Sequence, residues 1–211
     1  DIFLVKNMRQ SKPAPRGATK DQVFKLLLEQ DLLTPENKGP EWLKLRNKAI
    51  LMTLYGLGLR ISEAMNLTIA NAQQDVFIIQ GKGKKERRIP VLPPVRHILQ
   101  CLVSVSPKQE KEEPLFQNIR GAPLSIRTVQ TMVKRLRELN DDLPKHLTPH
   151  TFRHAFATHL LAQGADMRTI QELLGHASLS TTQQYLDVDI NRLLKVHKAA
   201  HPLAIQQEKE S

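Results

Sequence analysis

The sequence predicts a mainly α-helical fold with one small antiparallel β-sheet, an α+β architecture, and three observations carry that prediction. Apolar residues recur at helical spacing in two early segments, through Val23, Leu26 and Leu27 and again through Leu45, Ala49, Ile50 and Leu54. The pattern then turns strand-like in Asp75-Val76-Phe77-Ile78-Ile79-Gln80 and in Arg87-Arg88-Ile89-Pro90-Val91, two runs separated by a turn rich in Gly and Lys. Beyond Pro94 helical spacing returns and persists to residue 199.

Taken in order, residues 1–17 carry Lys6, Arg9, Lys12 and Arg16 around Pro13 and Pro15 with little apolar periodicity. They read either as an extended basic linker or as a disordered terminus. Thr19 is placed to cap the first helix, and the second spans 42–55, after a loop at 35–40 containing Pro35, Gly39 and Pro40. Gly56 and Gly58 permit a sharp turn, and a short helix follows over 62–67. After the hairpin, helices are expected over 95–103, 125–139, 149–163, 167–174, 181–186 and 190–199. The last of these sets Ile190, Leu193, Leu194 and Val196 on one stripe, which suits docking on a neighbouring protomer or on its own domain equally. Residues 208–211 are charged and should fray.

With 211 residues, 40% of them hydrophobic, the chain suffices for one sizeable domain with a tail at each end. A domain of this size buries roughly 70% of its unfolded surface. Lys and Arg number 31 against 21 Asp and Glu, a formal charge of +10 that favours a polyanionic partner such as DNA, RNA or an acidic membrane face. The single Cys101 excludes an internal disulfide and a multi-cysteine zinc site, so a reducing, cytoplasmic location is expected. No run approaches the roughly 20 apolar residues of a membrane span, and residues 1–10 lack a signal-peptide core, so neither membrane association nor secretion is expected. The chain opens on Asp1 rather than Met and is expected to be part of something longer.

Chemistry-bearing residues concentrate in the second half. In Thr148-Pro149-His150-Thr151-Phe152-Arg153-His154, Thr148 can cap a helix that Pro149 opens, so His150 and Arg153 share a face near the positive helix end, a natural anion site. Phe152, Phe156 and Leu160 form a separate stripe for the core. Standing alone, His-x-x-Arg is more often a solvated basic face. His150 and His154 also have a zinc-compatible spacing, but Arg153 brings a cation beside them and no motif Glu or cysteine cluster completes a ligand set, so no metal is expected. Downstream, Asp166 can cap a helix whose buried stripe is Ile170, Leu173 and Leu174; Gly175 can end it in the left-handed conformation, with His176 just beyond. Tyr185 follows among Gln183, Gln184 and Asp187, whereas the only other tyrosine, Tyr55, sits among Leu51, Leu54 and Leu57 and is expected in the core. Two earlier motifs complete the set. In Gly58-Leu59-Arg60-Ile61-Ser62-Glu63, Glu63 can orient the Arg60 guanidinium or the helix that follows. In Gly81-Lys82-Gly83-Lys84 the glycines permit close backbone approach.

Jointly these segments resemble the catalytic domain of the tyrosine recombinase (integrase) family, above all its bacterial Xer-type branch of chromosome-dimer recombinases. The resemblance runs from Thr19 to Pro202. It implies a tyrosine recombinase catalytic-domain fold over 18–202. Residues 1–17 become a linker remnant leading from an N-terminal DNA-clamping domain, and 203–211 a C-terminal tail. Six catalytic residues are implied: Tyr185 as nucleophile, Arg60 and Arg153 as phosphate clamps, His176 as a further phosphate-binding hydrogen-bond donor, His150 in proton transfer from the phenol, and Lys82 as acid toward the 5′ oxygen, with Lys84 in reserve.

The implied activity is site-specific cleavage and rejoining of DNA through a 3′-phosphotyrosyl intermediate, serving chromosome dimer resolution and segregation, with no cofactor, metal or ATP. The implied partners are a double-stranded recombination site, a homo- or hetero-tetramer with a related recombinase, and a septal DNA translocase, with no membrane. A phage or mobile-element integrase is an alternative. A type IB topoisomerase, or a noncatalytic DNA-binding protein of the same fold, stands further off. The turn Gly81-Lys82-Gly83-Lys84-Lys85-Glu86-Arg87 and the His201-Pro202 ending suit the Xer branch, and the complete polar set argues against lost activity.

Overall fold

The computed structural model describes residues 18–28, 41–80, 86–175, 196–197 and 199–203. Among them the chain forms α1 (Lys20–Leu28), α2 (Glu41–Gly56), α3 (Ile61–Met65), β1 (Val76–Gln80), β2 (Glu86–Pro90), α4 (Pro93–Val105), α5 (Ile126–Glu138), α6 (Pro149–Ala162) and α7 (Met167–Leu174). A 3-10 turn, Ile69–Gln73, lies between α3 and β1. The expected mainly helical fold with a small antiparallel sheet is observed. The readings for 1–17, the loop at 35–40, the hairpin turn at 81–85, the helix at 181–186, the apolar stripe residues Ile190, Leu193 and Leu194, and 204–211 fall outside the described residues.

Helix α2 forms the centre of the core. Its second half, from Ala49 to Tyr55, is buried on every side, as an all-round apolar sequence requires. It packs against α1, α3, α4 and α6. In the hairpin, Phe77 pairs with Ile89 and Ile79 with Arg87, so these four residues share one face, while Ile78 and Arg88 face outward. That face carries Phe77, Ile79 and Ile89 into the core. Arg87 is therefore turned toward the interior, where a guanidinium needs a partner.

Helix α6 starts as expected, with Pro149 in its first turn and the Thr148 backbone N–H donating to the Thr151 hydroxyl at 3.0 Å. Phe152, Phe156 and Leu160 are fully buried. In α7 the Asp166 carboxylate accepts the Thr169 N–H at 2.9 Å, and Ile170, Leu173 and Leu174 are buried. The helix ends at Gly175, whose φ of +66° lies in the left-handed region.

The described part of the C-terminal segment docks on its own domain. His197 and His201 are completely buried there, and their Nε2 atoms donate to the carbonyls of Gly56 and Tyr55 at 2.9 and 3.3 Å. Those carbonyls belong to the last turn of α2, which has no further helical partners to offer them.

Candidate active site

One carboxylate gathers the basic residues of the site. Glu63, on the first turn of α3, has a side chain only 9% exposed. Its Oε2 accepts the backbone N–H of Arg60 at 2.7 Å, and its Oε1 accepts Arg60 Nη1 at 2.9 Å. Glu63 thus orients both the Arg60 guanidinium and the helix start, the two options left open by the sequence. From β2, Arg87 places Nη1 on Oε1 at 2.9 Å and Nη2 on Oε2 at 2.7 Å, a bidentate fork. Arg153 Nη1 lies 3.9 Å from Oε2. Burial by itself would raise the Glu63 pKa, but the hydrogen bonds and charges of Arg87 and Arg60 outweigh it and hold the carboxyl below its ordinary value.

Arg153 is held differently. Its Nη1 donates to the Gly58 carbonyl in a short contact, and its Nη2 donates to the Leu174 carbonyl at 2.5 Å. One guanidinium therefore ties the turn before Arg60 to the end of α7. Gly58 has a φ of +59°, and a Cβ there would fall 2.6 Å from the Phe156 ring, so only glycine suits the position. Burial, then the nearby charges of Arg60 and Arg87, lower the Arg153 pKa to about 10, with Glu63 opposing; it stays protonated at neutral pH.

The structure brings Arg60 and Arg153 together on Glu63, from segments far apart in sequence. His150 occupies the first turn of α6 and is exposed, whereas Arg153 one turn later is buried. The two do not share one solvent face, because the carbonyls of Gly58 and Leu174 draw the arginine inward. His154 is exposed. Lys82, Lys84, His176 and Tyr185 lie outside the described residues. Among the described residues, no group of three or more His, Cys, Asp or Glu side chains could hold a metal ion.

Two features escaped the sequence reading. Arg87 stood beside Arg88 as one more charge, although period-two alternation from buried Ile89 marks it as the inward one. Helix α5 presents Arg127, Gln130, Thr131, Lys134 and Arg135 to solvent, while Val129, Val133 and Leu136 are buried. Beside it runs a groove of about 430 Å³ whose wall includes Arg46, Arg127 and Arg135; no residue of the Glu63 cluster lines it.

Residues 19–192 match the model of the phage integrase family. The chain belongs to that family. Curated relatives within reach of this phage integrase family member include the tyrosine recombinase XerC of Rickettsia canadensis, 42% identical over 204 residues, and that of Rhodospirillum centenum, 43% identical over 209. Those alignments cover 96% and 98% of this chain but 65% and 60% of the relatives, so the chain spans less than two thirds of their length. A crystal structure of the XerH recombinase bound to its difH substrate in a pre-cleavage complex is 26% identical, with a TM-score of 0.64 over 87% of this chain and 54% of that one. The integrase of mycobacterium phage Brujita shares the fold, with a TM-score of 0.65 at 22% identity over 92% of this chain and 61% of that one. The resemblance read from the sequence and the family match agree, and the fold is that of tyrosine recombinase catalytic domains.

Proposed function

We propose that this chain is the catalytic part of a site-specific recombinase that cuts and rejoins DNA strands through a phosphotyrosine bond. The observation that supports it best is the gathering of Arg60, Arg87 and Arg153 around one carboxylate, which leaves a net positive site for a phosphate.

In this reading the Tyr185 Oη attacks the scissile phosphorus. A phosphorus–oxygen bond forms to the tyrosine and the bond to the 5′ oxygen breaks. The phenolic proton passes to His150, and Lys82 gives a proton to the departing 5′ oxygen. Arg60, Arg153 and His176 stabilise the nonbridging oxygens as charge develops on them. Because the protein–phosphate bond conserves the phosphodiester, a 5′ hydroxyl from another strand can reverse the attack and rejoin without ATP.

DNA is the substrate that the basic face of α5 suits, since Arg127, Lys134 and Arg135 can meet phosphates while Gln130 and Thr131 can reach base edges. Exchange between two duplexes takes two cuts in each, which calls for four subunits, with a related recombinase as the natural partner. The Xer-type relatives favour chromosome dimer resolution in the cytoplasm under a septal DNA translocase. Among the described residues no helix is long and apolar enough to cross a membrane. Residues 1–17 are the linker from a DNA-clamping domain, 18–202 the catalytic domain and 203–211 its tail.

Incubation with nicked suicide substrates carrying candidate recombination sites tests this reading. The wild-type chain should form a covalent DNA adduct, and Tyr185→Phe should form none while binding DNA as before. An adduct from the Phe variant would overturn the assignment of the nucleophile. DNA binding without any wild-type adduct would favour the noncatalytic alternative.

A further inference from the structure

We propose that Arg87 is a positioning residue for strand cleavage: it neutralises Glu63 so that this carboxylate orients Arg60 without capturing it. The inference rests on the cleavage reaction proposed above.

The geometry separates Arg87 from a phosphate ligand. Its side chain is 9% exposed, and Nε, Nη1 and Nη2 all donate within the protein, to the Leu173 carbonyl at 3.1 Å and to the two oxygens of Glu63. No nitrogen of this guanidinium is left uncommitted toward a substrate. Arg60 is the opposite case. Its side chain is 40% exposed and, among the described residues, commits only Nη1, to Glu63 Oε1.

Glu63 is the link between them. With Arg87 in place, each carboxylate oxygen already accepts a strong charged hydrogen bond, and Arg60 adds a single side-chain contact. Without Arg87, a nearly buried carboxylate would keep the Arg60 backbone N–H on Oε2 and Arg153 at 3.9 Å, but would face the Arg60 side chain with no charged fork already bound. The favoured arrangement for such a pair is the bidentate fork. Arg60 would then direct both terminal nitrogens at Glu63 rather than at a phosphate.

Arg87 also braces the end of α7. A Cβ at Gly175 would stand 2.7 Å from Arg87 Cδ and 3.1 Å from Nη1, and the Leu173 carbonyl is an Arg87 acceptor. One strand residue therefore joins β2, the Arg60 turn and the exit of α7.

The test is single-turnover cleavage of the nicked substrate at saturating protein, with DNA affinity measured separately. Arg87→Met should slow adduct formation roughly 10- to 100-fold, the size typical of a group that orients a reacting one, with DNA affinity unchanged. The decisive variant adds Glu63→Gln to Arg87→Met. A neutral amide offers one acceptor oxygen and no charge, so it cannot hold Arg60 in a fork, and the double variant should cleave faster than Arg87→Met alone. A merely structural role predicts the reverse, because two buried partners have then been changed. Arg87→Lys keeps a charge inside the fold but not the fork, and carries the test if Arg87→Met does not fold; slower cleavage with unchanged affinity is expected. Wild-type cleavage by either single variant, or a double variant no faster than Arg87→Met, overturns the inference while leaving the recombinase reading intact. Absence of an adduct from the wild-type chain removes the reaction itself, and the inference with it.

Discussion

On one side of the connection between α2 and α3, Arg60, Arg87 and Arg153 keep their charge and gather around Glu63. On the other side His159, His197 and His201 pack among Tyr55 and Phe156 with their charge expelled. The Tyr55 hydroxyl donates to His159 Nδ1 at 2.9 Å, and the rings of His197 and His201 meet edge to face with centroids 5.2 Å apart. Burial drives the His197 pKa down to about 4 and the His201 pKa well below its ordinary value, with the neighbouring imidazole adding to the effect on His201. Burial also lowers His159, helped by the charge of Lys20. The carbonyls of one short segment serve both clusters, Tyr55 and Gly56 taking imidazole donors and Gly58 the Arg153 guanidinium. A guanidinium cannot shed its proton near neutral pH, so burying it requires a carboxylate or aligned carbonyls. An imidazole escapes that requirement by turning neutral.

The sharpest break in this comparison is Arg153→Ala. It strips the Gly58 and Leu174 carbonyls of a charged donor and, in the proposed reaction, removes a phosphate clamp. Adduct formation should fall by roughly 10² to 10³. Urea denaturation should show a stability loss of about 1–3 kcal/mol. Arg153→Lys should recover part of the rate at most, since an ammonium cannot bridge two carbonyls in a fixed plane. Full recovery by lysine would reduce the guanidinium to a simple point charge.

Acid separates the two clusters next. Unfolded histidine titrates near 6.5, and the buried His197 and His201 and the half-buried His159 titrate lower in the fold. The unfolded chain therefore binds protons first as pH drops. Stability from this cluster is complete above about pH 6.5 and is lost as pH falls toward 4, with His197 alone contributing on the order of 3 kcal/mol. Glu63 has the opposite charge type but also a lowered pKa, so its contribution is complete above its ordinary 4.5 and is lost only as pH falls below that. Denaturation curves at pH 7.5, 5.5 and 4 should thus show a first loss before the arginine cluster is touched. A flat response between 6.5 and 4.5 would contradict the neutral state of the imidazoles.

The smallest expected effect is none. In the proposed reaction guanidinium groups supply the charge stabilisation that a metal would otherwise give, so EDTA should leave the cleavage rate unchanged. Loss on chelation, restored by zinc or magnesium, would shift the chemistry to a metal.

The same contrast explains what was legible in the sequence. Arg60, Glu63 and Arg153 stand in motifs whose spacing survives without a fold, and the caps at Asp166 and Gly175 are local signals read within one turn. The core stripe of Phe152, Phe156 and Leu160 follows from helical periodicity alone. Alternation from Ile89 marks Arg87 as the inward arginine, but its pairing was not legible, because its partner Glu63 comes from another element and no local spacing announces the contact. His197 and His201 were hidden for a related reason. The apolar stripe of the last helix was sought among Ile190, Leu193, Leu194 and Val196, and imidazoles count as polar until a fold neutralises them.

The bonds from His197 to Gly56 and from His201 to Tyr55 join positions 141 and 146 residues apart, and that from Arg153 to Gly58 spans 95. None of them can assist the first stages of folding, since almost the whole chain must be drawn together before they close. They are also bonds that a partial opening can break while α2 remains packed against α4 and α6. The last turn of α2 thus works as a clasp closed late from the far end of the chain. Its backbone amides should exchange with solvent by a local opening of the contacts that His197 and His201 make there, at a lower free energy than the unfolding of the core.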